Sequence, residues 1–196
     1  MKWLFSGILL LLSSQVLAIN CEDIWTQSVR SNSAVPASIP FPATPNPSFP
    51  EPLQPVDYYY TGSDSFFVAN NTVRTTSGAT TRIFVEGNLT IGNSTVLNSG
   101  GPSQNFILVV SGSLTINNNA VINGFVLVGG AVQLNSNAVI NGALTARGAV
   151  ANFGAVNYRP AAIPLLSGGV VCDAALPPAV LRAHYPLDQC SGRVNR

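Results

Sequence analysis

Charge is what this chain has least of. Of its 196 residues only 9% are charged, where soluble domains carry roughly 25%. Nine basic residues against eight acidic ones leave a net charge of +1, which is no footprint for nucleic acid or an anionic membrane surface. The one lysine is Lys2 and the one histidine is His184. Between Phe106 and Asn157 there is no aspartate, glutamate, histidine, lysine or cysteine, and Arg147 is the only charged side chain. Glycoside cleavage needs carboxylic acids and acyl transfer needs a base, and neither stands in that stretch. His184 lies beyond it without a paired nucleophile and reads as a surface or structural residue. No P-loop, CxxC pair or HExxH motif occurs. The expectation is a protein that is not an enzyme, with no catalytic residue, no cofactor and no metal site.

Long apolar runs are equally scarce, and the one present is at the start. MKWLFSGILLLLSSQVLA has a positive residue in Lys2, an apolar stretch from Leu4 to Leu12, and the small-residue pattern Val16-Leu17-Ala18. Residues 1–18 therefore read as a secretory signal peptide cleaved after Ala18. The run falls short of the ~20 residues that span a bilayer, so no transmembrane segment is expected in the mature chain. Lipidation at Cys21 is set aside because Asn20 occupies a position that requires a small residue. The protein is expected to be exported, to the periplasm, the outer-membrane surface or the medium.

What the chain has in abundance is asparagine, glycine and small apolar residues in a repeat. The hexapeptide NAVING occurs at 119–124 and again at 137–142. An eighteen-residue period aligns SLTINNNAVINGFVLVGG (113–130) with AVQLNSNAVINGALTARG (131–148). Upstream, NLTIGNSTVLN fits the same template at an offset of 25, with a seven-residue insertion around GGPSQN making the difference. Downstream, AVANFGAVN is a shortened copy.

A finer period lies inside this one, because every sixth residue from Val110 is apolar: Ile116, Ile122, Val128, Leu134, Ile140 and Ala146. Two residues before each stands another small or apolar residue: Leu114, Ala120, Val126, Val132, Ala138 and Leu144. Side chains at i and i+2 of a strand point to one side, so each hexad supplies a short strand with an apolar inner edge. Three hexads make one turn of a triangular parallel β-helix, its turns stacked about 4.8 Å apart. Residues 82–157 are expected to form about four such coils. An antiparallel sandwich is the alternative, but hairpin strands have no reason to keep a six-residue register. The Asn-Gly pairs at 123–124 and 141–142 are expected at a corner with positive φ, and Asn119 under Asn137 in a side-chain ladder.

Outside the repeat, CEDIWTQSVRS (21–31) has the spacing of a short helix. Residues 35–56 hold eight prolines and should run extended, as a spacer or surface strap rather than a ligand for a proline-binding module. The resulting division is 1–18 signal peptide, 19–56 short helix and Pro-rich linker, 57–171 β-helix domain, and 172–196 a linker with the truncated start of a further domain. Sequons at Asn70, Asn88 and Asn93 are what Asn- and Thr-rich strands produce by chance.

Several families resemble parts of this pattern. AVINGALTARGAVANFGA is similar to the coils of ice-binding proteins. Those need a flat face, usually of threonine, and the outward residues here stack as Thr115/Gln133, Val121/Val139 and Leu127/Thr145. The Val121/Val139 stripe is expected under the Pro-rich segment or another domain. Bactofilin-like polymers share the hexad coil but lack an export signal. At the far end, AHYPLDQCSG resembles the first strand of a laminin-G-like sandwich. The signal peptide, early cysteine, short asparagine-rich repeat and this onset together resemble the N-terminal region of MshQ-like MSHA pilus biogenesis proteins. That resemblance implies a non-catalytic surface protein of type IV (MSHA-type) pilus biogenesis or pilus-linked adhesion. Its partners would be pilus or other cell-surface proteins and glycans. An ice-binding or glycan-binding β-helix is the alternative.

Three cysteines, Cys21, Cys172 and Cys190, are an odd number for an oxidising compartment. Cys21–Cys172 would fasten the N-terminal segment across the coils, leaving Cys190 with its partner in the missing part of the laminin-G-like domain. A loop that long corresponds to roughly 4–5 kcal/mol in chain-entropy terms. Cys172–Cys190 is the rival pairing and would leave Cys21 free.

Overall fold

The structure is a computed structural model that describes residues 21–39, 41, 49–61, 68–166 and 172. The proposed signal peptide, His184, Cys190 and the laminin-G-like onset lie outside the described residues.

The described chain is mostly strand, and every strand pairing in it is parallel. In chain order the first four strands are β1 (Asp57–Thr61), β2 (Val73–Arg74), β3 (Thr81–Glu86) and β4 (Leu89–Ile91). There follow β5 (Val96–Leu97), β6 (Phe106–Val110), β7 (Leu114–Ile116) and β8 (Val121–Val128). The last are β9 (Val132–Leu134), β10 (Val139–Ala146), β11 (Val150–Asn152) and β12 (Ala155–Tyr158). One sheet stacks β4, β7, β9 and β11; the larger one runs β1-β3-β6-β8-β10-β12, with β2 and β5 on the N-terminal end of β8. Each pass of the chain thus lies over the previous one, a β-helix-like arrangement.

The stacking register follows the sequence repeat. Leu114 pairs with Val132, Ile116 with Leu134, and Val121–Val128 with Val139–Ala146 throughout. β8 dates the insertion. Its Val121 pairs with Val96, but its Phe125 pairs with Ile107, so the extra residues lie between Leu97 and Phe106. They form a loop ending in a 3-10 turn, Ser103–Asn105.

Ile116, Ile122, Val128, Leu134, Ile140 and Ala146 are all buried, as are their partners two residues earlier, and they share one core with Ile83, Val85, Phe106 and Leu108. Burying aliphatic side chains of this size contributes about 1.5–3 kcal/mol each before entropy is counted. A second apolar cluster lies on the other side of β3, β6, β8 and β10. Phe84, Ile107, Val109, Phe125, Leu127 and Ala143 are covered there by Trp25, Val35, Ile39, Phe41 and the 3-10 helix Pro160–Leu165. The edge of the Trp25 ring meets Phe125, with centroids 5.2 Å apart.

Three expectations are corrected here. Leu127 and Thr145 do not face solvent. They lie under the N-terminal strap, which covers their column rather than the Val121/Val139 one, because Phe125 and Leu127 offer it more apolar area. The Asn-Gly pairs are not corners, since both lie within continuous strands, β8 and β10. A Cβ on Gly124 would come within 2.6 Å of the Phe106 carbonyl, and one on Gly142 within 2.0 Å of the Gly124 carbonyl. Glycine is needed there for close approach, and at Gly142 also for a φ of 155°, while the left-handed turns at φ 60° fall on Asn119 and Asn137. The helix at 21–31 is a single turn, Cys21–Ile24, because the chain must then cross to the strand edge, where Ser31 bridges Ala146. The Pro-rich stretch, expected as a spacer or surface strap, is anchored where it is described: Leu53 bridges Thr76, and Phe49 stacks on Tyr58.

Candidate binding surface

Six charged side chains, those of Glu51, Asp57, Arg74, Arg82, Glu86 and Arg147, make bonds that hold the fold together at its edges. Arg82 forms a two-point pair with its cross-strand neighbour Asp57, Nη2 to Oδ2 at 3.0 Å. Glu51 accepts from the Thr75 amide at 2.9 Å and from its hydroxyl, and lies 3.7 Å from Arg74. Glu86 accepts the Tyr59 hydroxyl, and this hydrogen bond, followed by desolvation and the charge of Glu86, raises the Tyr59 pKa. Arg147, the lone charge of the repeat, donates to the Val35 carbonyl at 3.2 Å and so pins the strap. Among the described residues no three His, Cys, Asp or Glu side chains gather as a metal site. None of their helices is long and apolar enough to cross a membrane.

Cys21 and Cys172 are disulfide-bonded, their Cα atoms 4.9 Å apart. The bridge joins the first turn of the strap to the chain beyond the 3-10 helix. Asn32 reinforces this closure: its amide donates to the Asp23 and Ile24 carbonyls and to Thr145 Oγ1 at 3.2 Å. The sequon asparagines are corner pieces, since Asn70 Oδ1 accepts the Asn93 amide and Asn88 Oδ1 the Ser113 amide, 2.7 and 2.8 Å.

Two walls are left without a strap. On one, Thr90, Thr115, Gln133 and Ala151 stack in register, a column too mixed for a threonine ladder. On the other, Val73, Val96, Val121, Val139 and Ala155 form a partly exposed aliphatic column. Asparagine ladders flank it. Asn135 donates to Asn117 and Asn137 to Asn119 on one side, at 3.1 and 3.2 Å. Asn141 donates to Asn123 and Asn157 to Asn141 on the other, both at 2.8 Å.

Where the second ladder meets the inserted loop, a cleft of about 530 Å³ opens. Asn123 and Asn141 line it between the loop, with Ser103 and Gln104, and the start of the 3-10 helix, with Tyr158 and Arg159. The loop is tied down by the buried Asn98, whose amide donates to the Pro102 and Asn123 carbonyls at 2.9 and 2.7 Å. Gly101 is the residue that fits beside it, since a Cβ would lie 1.9 Å from Asn98 Oδ1. Tyr158 donates to the Trp25 carbonyl at 2.8 Å, and burial first, then Glu22, raises its pKa. In the sequence the insertion reads as an interruption of the period; the cue to the cleft is that seven extra residues must stand out over a corner of the stack.

A family model described as a domain of unknown function (DUF8470) matches residues 44–155, from within the Pro-rich stretch to the start of β12. Neither a curated protein nor a solved structure matches the chain.

Proposed function

The chain belongs to the DUF8470 family, whose description carries no function; from the sequence resemblance and the surfaces described above we propose that it is a non-catalytic exported surface protein working in MSHA-type pilus biogenesis or pilus-linked adhesion. Its scaffold is read as a short triangular parallel β-helix of about four hexad-built coils. The observation that carries the binding role is the division of labour between walls. One wall is sealed by the chain's own strap, and Glu51, Asp57, Glu86 and Arg147 are engaged in structural bonds. The valine column, its asparagine ladders and the corner cleft stay open as a rigid, nearly uncharged surface. Such a surface suits recognition, because its groups are already ordered and little entropy is lost on docking. The pilus assignment rests on the sequence resemblance. Its test is a deletion strain scored for surface pili and for adhesion, with the protein located by protease treatment of intact cells. Normal piliation and adhesion would overturn the reading.

One observation favours a second reading, an ice-binding face: Val73, Val96, Val121 and Val139 repeat at strand spacing on an unstrapped wall. An ice-recrystallisation assay on the purified chain, against a Val121→Asp variant, separates the two.

A further inference from the structure

The corner cleft has a chemistry of its own. Asn123 and Asn141 present side-chain amides one strand spacing apart along the ladder. In each, one N–H and one side of the carbonyl oxygen are used: Asn123 donates to the Asn98 carbonyl at 3.0 Å and accepts from Asn141, which accepts from Asn157. An amide has a second N–H and a second lone pair, so each rung keeps a donor and an acceptor. Ser103 and Gln104, on the opposite wall, add groups that also both donate and accept. Sugar hydroxyls have this same double character, whereas a lipid chain or an apolar helix would leave these amides without partners at a cost.

Charge narrows the class further. Among the described residues Arg159 is the only charged side chain lining the cleft, and no carboxylate of theirs lines it. Its backbone amide is fixed on the Gly142 carbonyl at 2.8 Å, while its exposed guanidinium makes no ion pair among the described residues. A guanidinium held on an anchored backbone beside neutral hydrogen-bonding groups matches a planar carboxylate through two parallel bonds. The volume lies within the roughly 300–1,000 Å³ usual for small-molecule sites. Pro102, Pro160 and Leu165 supply apolar edges for the C–H faces of a ring.

We propose that this cleft binds an acidic oligosaccharide, with Arg159 holding a sugar carboxylate and Asn123 and Asn141 reading the hydroxyls beside it. The proposal deepens the adhesion reading and rests on it for its biological setting, but the cleft can be tested alone. The full mature chain is titrated by calorimetry with oligogalacturonate, a sialylated oligosaccharide and carboxyl-reduced oligogalacturonate. At least one acidic ligand should bind, and for a uronate the carboxyl-reduced form should bind at least tenfold more weakly. Arg159→Gln should abolish the preference for acid, and Gln104→Ala should weaken binding several-fold. Arg159 is exposed and Gln104 half-buried outside both apolar clusters, so circular dichroism of the variants should match the parent. Failure of every saccharide to bind, or an acid preference that survives Arg159→Gln, overturns the proposal, as does an acidic peptide that outcompetes the sugars.

The two readings fail separately. If deletion abolishes adhesion but an Arg159→Gln strain adheres normally to acidic glycan, the cleft proposal falls and the surface reading stands. If the purified chain binds acidic sugar through Arg159 but deletion leaves pili and adhesion intact, the surface reading falls and the cleft stands.

Discussion

Asn137 stands over Asn119: both hold φ at 60°, and the Asn137 amide donates to Asn119 Oδ1 at 3.2 Å. Asparagine tolerates the left-handed region better than other chiral residues, and its side chain repays the corner with a bond to the pass below. Asn137→Ala should therefore cost about 1–2 kcal/mol. Asn137→Gly should cost much less, since it keeps the backbone and loses only the exposed ladder bond. Urea unfolding of the two variants checks this; equal losses would show that the ladder, not the backbone, is what matters there.

Inside the stack the expectation is larger. Ile140 is fully buried between its neighbours, so Ile140→Ala should destabilise by about 2–5 kcal/mol through lost burial and a cavity. Gln133 is exposed, and Gln133→Ala should change stability by less than about 0.5 kcal/mol. A denaturation series that ranked Gln133 above Ile140 would reverse the inward and outward assignment.

The disulfide closes a separation of 151 residues. Replacing Cys21 and Cys172 with serine should lower stability by roughly 4–5 kcal/mol in the chain-entropy account. Trp25, 1% exposed beside the bridge, should shift its emission to the red if the strap lifts. Non-reducing peptide mapping supplies the covalent check. A Cys172–Cys190 peptide in place of Cys21–Cys172 would contradict the bridge described above.

Alkaline titration gives a fourth expectation. The Tyr59 pKa is raised, chiefly by its hydrogen bond to Glu86. A raised folded-state value means that the neutral phenol is favoured in the fold. Its contribution to stability is complete below the ordinary tyrosine value near 10 and is lost as pH rises through the higher folded value. Phenolate absorbance should show late-titrating tyrosines, Tyr59 and Tyr158, of which only one moves earlier in Glu86→Gln. No change on that substitution would mean that another group sets the shift.

The repeat was legible because stacking is a sequence-periodic constraint: Ile116 over Leu134 and Ile122 over Ile140 follow from spacing alone. What spacing could not reveal was the second apolar cluster. Phe125 and Leu127 alternate with the core residues Val126 and Val128, and an all-apolar strand does not say which of its faces is the outer one. The covering residues, Trp25, Val35 and Ile39, are about a hundred positions away and carry no period. The Asn-Gly pairs misled for a related reason: the same dipeptide serves a tight turn or a close approach, and only the neighbouring pass, Phe106 beside Gly124 and Gly124 beside Gly142, decides between them. The cleft was hidden because the period measures what repeats, and the inserted loop is the part that does not.

The bridge between Ser31 and Ala146 also bears on how the chain reaches its fold. The internal passes pair at separations of 16 to 25 residues, as in the Asn141–Asn157 and Asn98–Asn123 contacts, whereas Asn32 meets Thr145 across 113. Closing a long loop is slow and loses chain entropy before any contact compensates for it. Stacking of the repeat should therefore nucleate first, from neighbour to neighbour, and the strap should dock last, on a surface that does not exist until β10 has formed. Until that moment Phe125 and Leu127 stand in water. The growing stack thus keeps one adhesive side, and the segment that ends this exposure is tethered to the same chain.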